Sequence, residues 1–478
     1  MFCVRDVEQS FSHGIFGSLR HVTYNLKRYF MNQQPVSPRG SALIPLLLFL
    51  VLFIGTGAAL TAQGKSMAFY QLSAAVAILP AIALALAMGR DKFESKISVF
   101  LSGVGDINIV TMCIIYLLAG GFASVAKAIG GVDATVNLGL AFIPAALVLP
   151  GLFAIAAFVA TAMGTSMGTI AAIAPIAAGV GQQTDISSAM LMGTVVGGAM
   201  FGDNLSMISD TTIAATRTQG CAMSDKFKMN IRIVLPAAIG TILLLGVLGT
   251  SGAVSHAGDW EFIRVVPYLV ILGLAVAGVN VFVVLASGIV LAGSVGLAAV
   301  PDYSLLKFSQ DIYAGFNGMH EILVLSMLVG GLGELIRHNG GLQWLLEKVN
   351  ALAVKAGNGN TRRSGEFGIA ALVSLADACT ANNTVAIILT GRLAKEIASD
   401  TGVDPRRSAS LLDIFSCIVQ GVTPYAAQVL LAGSIAGISP VAVAANNWYC
   451  LVLAGISVVA IMTGWPRVAR KGATPPAA

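Results

Sequence analysis

Charge is what this chain most lacks. Only 11% of its 478 residues are Asp, Glu, Lys or Arg, while 56% are hydrophobic, against roughly 25% charged residues in soluble domains. So little polar surface predicts a membrane protein, and the length accommodates about ten spans of about 20 residues each. The formal net charge of +5 is too small to mark a nucleic-acid surface; the positives fall in loops, where they set orientation. Cysteine is sparse and scattered. Cys3, Cys113, Cys221, Cys379, Cys417 and Cys450 include no C-x-x-C pair, so they read as small packing residues and not as a disulfide or metal framework. Catalytic patterns are also missing: there is no Ser/His catalytic arrangement, no H-E-x-x-H and no nucleotide loop. The expectation is a protein that is not an enzyme and holds no cofactor.

One absence is local. Residues 128–216 contain no Lys or Arg, whereas 337–407 contain Arg337, Lys348, Lys355, Arg362, Arg363, Arg392, Lys395, Arg406 and Arg407. Both stretches are apolar with polar interruptions. The first carries Gly164-Thr165-Ser166-Met167-Gly168-Thr169 and Phe201-Gly202-Asp203-Asn204-Leu205-Ser206; the second carries Thr380-Ala381-Asn382-Asn383-Thr384 and Gln420-Gly421-Val422-Thr423-Pro424. Cytoplasmic loops are enriched in Lys and Arg, so homologous stretches charged this differently face opposite sides of a membrane. That is the mark of an inverted-repeat transporter. The duplication is visible in the glycines. Tyr116 to Gly121 leads to Gly130-Gly131, Ser326 to Gly331 leads to Gly340-Gly341, and Gly105 matches Gly315, all at an offset of 210.

The expected architecture is an all-α polytopic membrane protein, an inverted-repeat secondary transporter with about ten transmembrane helices and two re-entrant hairpins. Residues 1–40 form a basic cytoplasmic N-terminal tail, within which Met31 offers a second start, so residues 1–30 need not be native. Residues 41–217 are the first inverted repeat, 218–255 a linking loop and span, 256–438 the second repeat, and 439–478 a last span and cytoplasmic C-terminal tail. The hairpins are expected at about 136–183 and 341–398, and the fourth span, about 187–216, is expected to break near Gly202-Asp203-Asn204. The fifth span, about 231–250, is the odd crossing that inverts the second copy. Both termini are then cytoplasmic, and Lys226 belongs to an inside loop with Arg217, Lys228 and Arg232.

Broken helices at the midplane expose carbonyls and half-helix ends, and sodium, a hard ion, wants such oxygens. The candidate ion or substrate ligands are Thr165, Ser166, Asp203, Asn204, Ser206, Asn382, Asn383, Thr384 and Thr423. A charged Asp at mid-helix costs about 2.5–3.5 kcal/mol on insertion scales, which singles out carboxylates. Asp203, Asp210, Asp377 and Asp413 are the proton-coupling candidates, with Na+ placed at Asp203. A carboxyl that exchanges a proton for a cation is the minimum device for antiport. Glu321 and Glu334 are further candidates, although Glu334 beside Arg337 reads equally as an edge ion pair.

The run Met200 to Ser206, continued through Ile208-Ser209-Asp210-Thr211-Thr212, resembles the NhaC-type sodium/proton antiporters of the ion-transporter superfamily. Gly164-Thr165-Ser166 fits the same pattern, and the likeness extends over most of residues 70–440. The resemblance implies a multi-pass secondary carrier of the bacterial inner membrane whose partners are the lipid bilayer, Na+ and H+. It leaves a small organic substrate and a homodimer open. Similar proteins exchange organic acids or carry amino acids, so a sodium-coupled carrier for an amino acid such as methionine, or for an organic acid, stands beside sodium/proton exchange.

Overall fold

A computed structural model describes residues 37–63, 71–89, 91–142, 144–207, 209–249, 260–356 and 362–466. The basic tail before residue 37, Lys65, Arg90 and the positives after Trp465-Pro466 lie outside them. No β-strand occurs among the described residues. In lipid an isolated segment must satisfy its own backbone, which a helix does and a lone strand does not.

The chain opens with α1 (Ile44–Leu50) and α2 (Thr56–Ala62), joined through Val51–Gly55, and then α3 (Ala74–Ala77), α4 (Leu79–Ala87), α5 (Phe93–Val104), α6 (Ile107–Ala128) and α7 (Gly131–Phe142). A hairpin follows, α8 (Ala145–Met163) and α9 (Ser166–Gln183). After it come a broken pair, α10 (Ser188–Leu205) and α11 (Asp210–Gln219), and the long α12 (Met223–Gly249). α13 (Phe262–Val276), α14 (Val281–Ala299), α15 (Leu305–Gly318), α16 (His320–His338) and α17 (Gly341–Ala356) lead to a second hairpin, α18 (Arg362–Thr380) and α19 (Asn383–Thr401). The broken pair α20 (Pro405–Val422) and α21 (Ala427–Ala436) precedes α22 (Pro440–Ala445) and α23 (Trp448–Thr463).

Among the described residues, Ile107–Ala128, Ala146–Met163, Met223–Gly249, Val281–Ala299 and the unit Pro405–Ala436 are long and apolar enough to cross a membrane. Shorter apolar helices at Gly40–Gly55, Ala74–Ala87, Phe262–Val276 and Trp448–Thr463 accompany them. Several starts carry side-chain caps, as the donors of a helix N-terminus require. Asp106 accepts from Asn108 N, Asn280 from Phe282 N and Asp404 from Arg406 N.

The pairs α5–α6 and α15–α16 cross with their backbones in contact, α6 on α15 and α5 on α16. A Cβ on Gly120 would strike the carbonyl of Gly315, and one on Gly315 would strike that of Gly120; Gly103 and Gly330 are related in the same way. Small residues permit such an approach in membranes. α12 packs on α8, α20 and α23.

Two sequence expectations are corrected. The fourth span does not break at Gly202-Asp203-Asn204: those residues are the last helical turn of α10, and the chain leaves the helix at Ser206. The side chain of Ser209 caps α11 at Thr212 N. Gly202 lies within the helix, and its lack of a side chain serves packing: α8 passes so close that a Cβ there would meet Ala160 and Thr161. The fifth span begins at Met223 and not near 231, so Lys226 is no loop residue; it is fully buried. Arg407 is likewise buried, paired with Glu366 at 2.9 Å.

Candidate functional site

The two hairpin tips are built alike. α8 ends at Gly164, whose φ of +70° is left-handed; Thr165 is extended, and its hydroxyl accepts from Gly168 N. In the second hairpin Ala381 takes the left-handed position at φ +50°, and extended Asn382 accepts from Val385 N through its side chain. A residue with a Cβ pays about 1–2 kcal/mol there, and only surrounding structure holds it.

Both tips open on one polar cavity of about 100 Å³. Gly164, Thr165, Ser166 and Met167 line it from the first tip, and Asn382, Asn383 and Thr384 from the second. Asp203 comes from α10, Asp210 and Thr211 from α11, and Gln428 from α21, while Asn108 and Thr111 of α6 form the remaining polar wall. Two carboxylates lie in this wall, and no Lys, Arg or His is among its residues. Asp203 is 4% exposed. Its Oδ2 accepts from Ser166 Oγ at 3.1 Å and its Oδ1 from Thr211 Oγ1 at 3.0 Å. Asp210, on the first turn of α11, is exposed.

Of the sequence candidates, Thr165, Ser166, Asp203, Asp210, Asn382, Asn383 and Thr384 therefore share one cavity. The others do not line it. Asn204 is buried against Tyr449, its Nδ2 donating to the phenol oxygen at 3.4 Å. Ser206 and Thr423 end α10 and α20, their N–H groups donating to Gly202 and Val419. Asp377 is buried in α18 with neither carboxylate oxygen hydrogen-bonded. Glu321 accepts from Ser73 at 2.6 Å, and Glu334 is paired with Arg337.

Asp413 sits in a second polar cluster. Lys226 Nζ lies 2.7 Å from its Oδ2, and Asn230 Nδ2 donates to the same oxygen at 2.7 Å. The ammonium also donates to Thr212 Oγ1 at 2.6 Å and to the Asn204 carbonyl at 2.9 Å. That carbonyl belongs to the last turn of α10, where the helix dipole favours a cation. Three oxygens thus surround a lysine much as they would a hard ion. Sequence reading missed Lys226 and Asn230 because basic neighbours disguised them; their spacing of four, with Ile233 three further, puts all three on one buried helix face. Thr211, Gln428, Asn108 and Thr111 were missed too, since a lone polar residue in an apolar helix usually bonds its own backbone.

Apolar helices of spanning length, with polar side chains from several of them converging inside, define a multi-pass helical membrane protein. The model described as the Na+/H+ antiporter family matches residues 35–250, so the resemblance to NhaC-type antiporters is borne out over the part that holds Thr165, Ser166, Asp203 and Asp210. The chain is 24% identical to the malate-2H(+)/Na(+)-lactate antiporter of Bacillus subtilis over 368 residues, 70% of this chain and 77% of that protein. It is 27% identical to the Na(+)/H(+) antiporter NhaC of Bacillus subtilis over 255 residues, 46% of this chain and 56% of that one. With the arginine/ornithine antiporter ArcD of Halobacterium salinarum it shares 22% identity over 404 residues, 78% and 81% of the two chains.

Proposed function

We propose that the protein is a secondary active transporter that exchanges sodium for protons across the bacterial inner membrane, with Asp203 as the shared proton and cation site. The observation that carries this reading is the cavity wall: two carboxylates, hydroxyls and amides, with no basic side chain among them. Such a wall favours a cation, and hard oxygens suit sodium. Ser166 and Thr211 orient the Asp203 carboxylate; Thr165, Asn382, Asn383 and Thr384 offer further oxygens from the tips. Asp210 lies within the same cavity and is the second proton-coupling candidate. Asp377 is buried with no hydrogen-bond partner for its carboxylate among the described residues, which makes it the third, whereas Asp413 is held by Lys226 and is proposed as the structural member. Na+ and H+ are cargo, and no resident cofactor enters the reading.

The inverted repeat belongs to the same proposal. Cys113 approaches the Leu323 carbonyl and Tyr116 Oη lies 3.2 Å from Ser326 Oγ, both pairs 210 positions apart. Equivalent residues of two copies touch each other only near a pseudo-two-fold axis. Further along, one spacing of 217 links Thr165 to Asn382, Ser206 to Thr423 and Gly220 to Gly437 as caps of corresponding helices. It also takes Met223, which opens α12, to Pro440, which opens α22. Each copy then closes on its own final span, α12 or α22–α23, and the pair supplies about ten crossings plus two hairpins with cytoplasmic termini. Cysteines placed at Asp185 and Arg406 should label from opposite faces; labelling from one face overturns the inversion.

A second reading keeps the site and changes the cargo. Asn382 and Asn383 bring two amides into the cavity, chemistry that recognises the carboxylate or amine of an amino acid or organic acid, and the relatives named above include exchangers of both. Reconstitution in liposomes with a lumenal pH dye and labelled solutes separates the two. Proton movement driven by sodium or lithium without organic solute supports exchange of the ions; sodium-dependent solute uptake without proton movement replaces it with the second reading.

A further inference from the structure

We infer that Gln420 and Gln428 form a hydrogen-bond relay of fixed polarity that couples the tip of the second hairpin to Asp203. Gln420 Nε2 donates to the Ala381 carbonyl at 3.0 Å and to Gln428 Oε1 at 2.8 Å. Gln428 Nε2 donates to Ser166 Oγ at 3.2 Å, and Ser166 donates to Asp203 Oδ2 at 3.1 Å. All four side chains are buried, none more than 4% exposed. The chain passes from α18–α19 through α20 and α21 into the first hairpin and ends on α10.

Its direction is set at both ends. A carbonyl only accepts, so Gln420 must present its amide nitrogen to Ala381. The second hydrogen of that amide then goes to Gln428 Oε1, which turns the Gln428 amide toward Ser166. The Ser166 hydroxyl has one proton, and a carboxylate is the acceptor it reaches. Flipping either glutamine alone sets like groups against each other, and flipping both turns Gln420 Oε1 onto the Ala381 carbonyl and takes the Ser166 proton from Asp203; in the arrangement seen, Gln420 Oε1 is the one relay atom with no hydrogen-bond partner among the described residues. The first acceptor is the carbonyl of Ala381, the non-glycine residue in the left-handed region at this tip. Gln420 thus holds a strained backbone in place, and what holds Gln420 runs back to the charge of Asp203. On the 217 spacing Gln420 and Gln428 stand where the first copy has Asp203 and Thr211, so an amide pair replaces a hydroxyl–carboxylate pair. The second half carries the connection, and the first carries the charge.

Gln428 and Gln420 are positioning residues here. When a cation or a proton occupies Asp203, the acceptor at the end of the relay changes, and the second tip loses or regains its restraint although it lies on other helices. The functional meaning rests on the proposed ion site; the coupling itself does not, and the test keeps them apart. Amide hydrogen exchange at residues 381–385 is measured in wild type and in Ser166→Ala, Gln428→Met and Gln420→Met proteins, without any transported ion. The relay predicts exchange roughly three- to tenfold faster in each, the size of one lost buried hydrogen bond. It also predicts that Ser166→Ala combined with Gln428→Met adds nothing beyond either alone, because both cut one chain. Unchanged exchange at 381–385 in folded Ser166→Ala protein overturns the relay, and so do additive effects. In a second arm, sodium added to wild type should alter exchange at the same residues, and the response should vanish in Gln428→Met. A wild type indifferent to sodium removes the sodium reading while the first arm still decides the relay.

Discussion

Lys226 Nζ lies 2.7 Å from Asp413 Oδ2, with side chains 1% and 0% exposed. Two charges taken out of water need hydrogen bonds as well as each other: Thr212 and Asn204 accept from the ammonium and Asn230 donates to Asp413 Oδ2, while Oδ1 has no hydrogen-bond partner among the described residues. Removing one partner strands the other, which typically costs about 3–5 kcal/mol. Lys226→Met should therefore lower the unfolding temperature in detergent sharply, and the double variant Lys226→Met/Asp413→Leu should recover most of it. A single variant as stable as wild type would show that water reaches the pair.

Asp203 supplies the buried charge at the cavity. Asp203→Asn preserves shape and most hydrogen bonding but removes the anion. Cation-driven proton movement in liposomes should fall at least about tenfold, the factor carried by roughly 1.4 kcal/mol, with thermal stability unchanged or higher because a buried carboxylate is gone. Normal transport by this protein would remove Asp203 from the mechanism.

The tips differ in strain. Ala381→Gly relieves the left-handed penalty of about 1–2 kcal/mol against a glycine entropy cost of roughly 0.5–1 kcal/mol, so it should be neutral to slightly stabilising. Gly164→Ala creates the same penalty of about 1–2 kcal/mol, offset in part by the roughly 0.5–1 kcal/mol of glycine entropy it removes, and should destabilise by up to about 1.5 kcal/mol. Denaturation midpoints of the two proteins side by side should move in opposite directions, or only the second should fall.

At the start of α20, hydrogen bonds from Arg406 hold the Asp404 carboxyl below its ordinary range. A carboxyl lowered in the folded state adds stability above its unfolded pKa of about 3.9 and loses it as pH falls through the folded value. Asp404→Ala should cost about 0.5–2 kcal/mol at pH 7 through the lost cap. The gap between wild type and Asp404→Asn, which retains a cap but not the charge, should close below about pH 4. Unfolding followed between pH 3 and 7 checks both.

Much of the lining of the candidate cavity could be read before the fold. Thr165 and Asn382 announce themselves because a cap residue after an apolar run ends one helix and starts another, and Asp203 because a carboxylate in such a run needs a reason. Lys226 and Arg407 could not be read the same way. A basic residue near other basic residues looks solvated, and only tertiary packing reveals that one of them turns inward to a partner some 190 or 40 positions away. The Gly202-Asp203-Asn204 run misled about the break for a related reason. Glycine there serves a close approach to α8, which is a packing need and not a change of backbone direction. Gln420 showed only as the start of a polar interruption and Gln428 not at all, because a glutamine carries no preferred partner until its neighbours fix which end donates.

The mutual contact of Gly120 and Gly315 limits how this protein can move. With carbonyls seated where side chains would normally be, α6 and α15 have no room to come closer at their crossing, and close-packed backbone does not compress. In the proposed exchange these two helices are the stator, and rearrangement falls to the short extended joints at the tips and at the ends of α10 and α20. Asn108 and Thr111 belong to α6, so in the proposed cycle an occupant of the cavity keeps one wall in register while the other walls change around it.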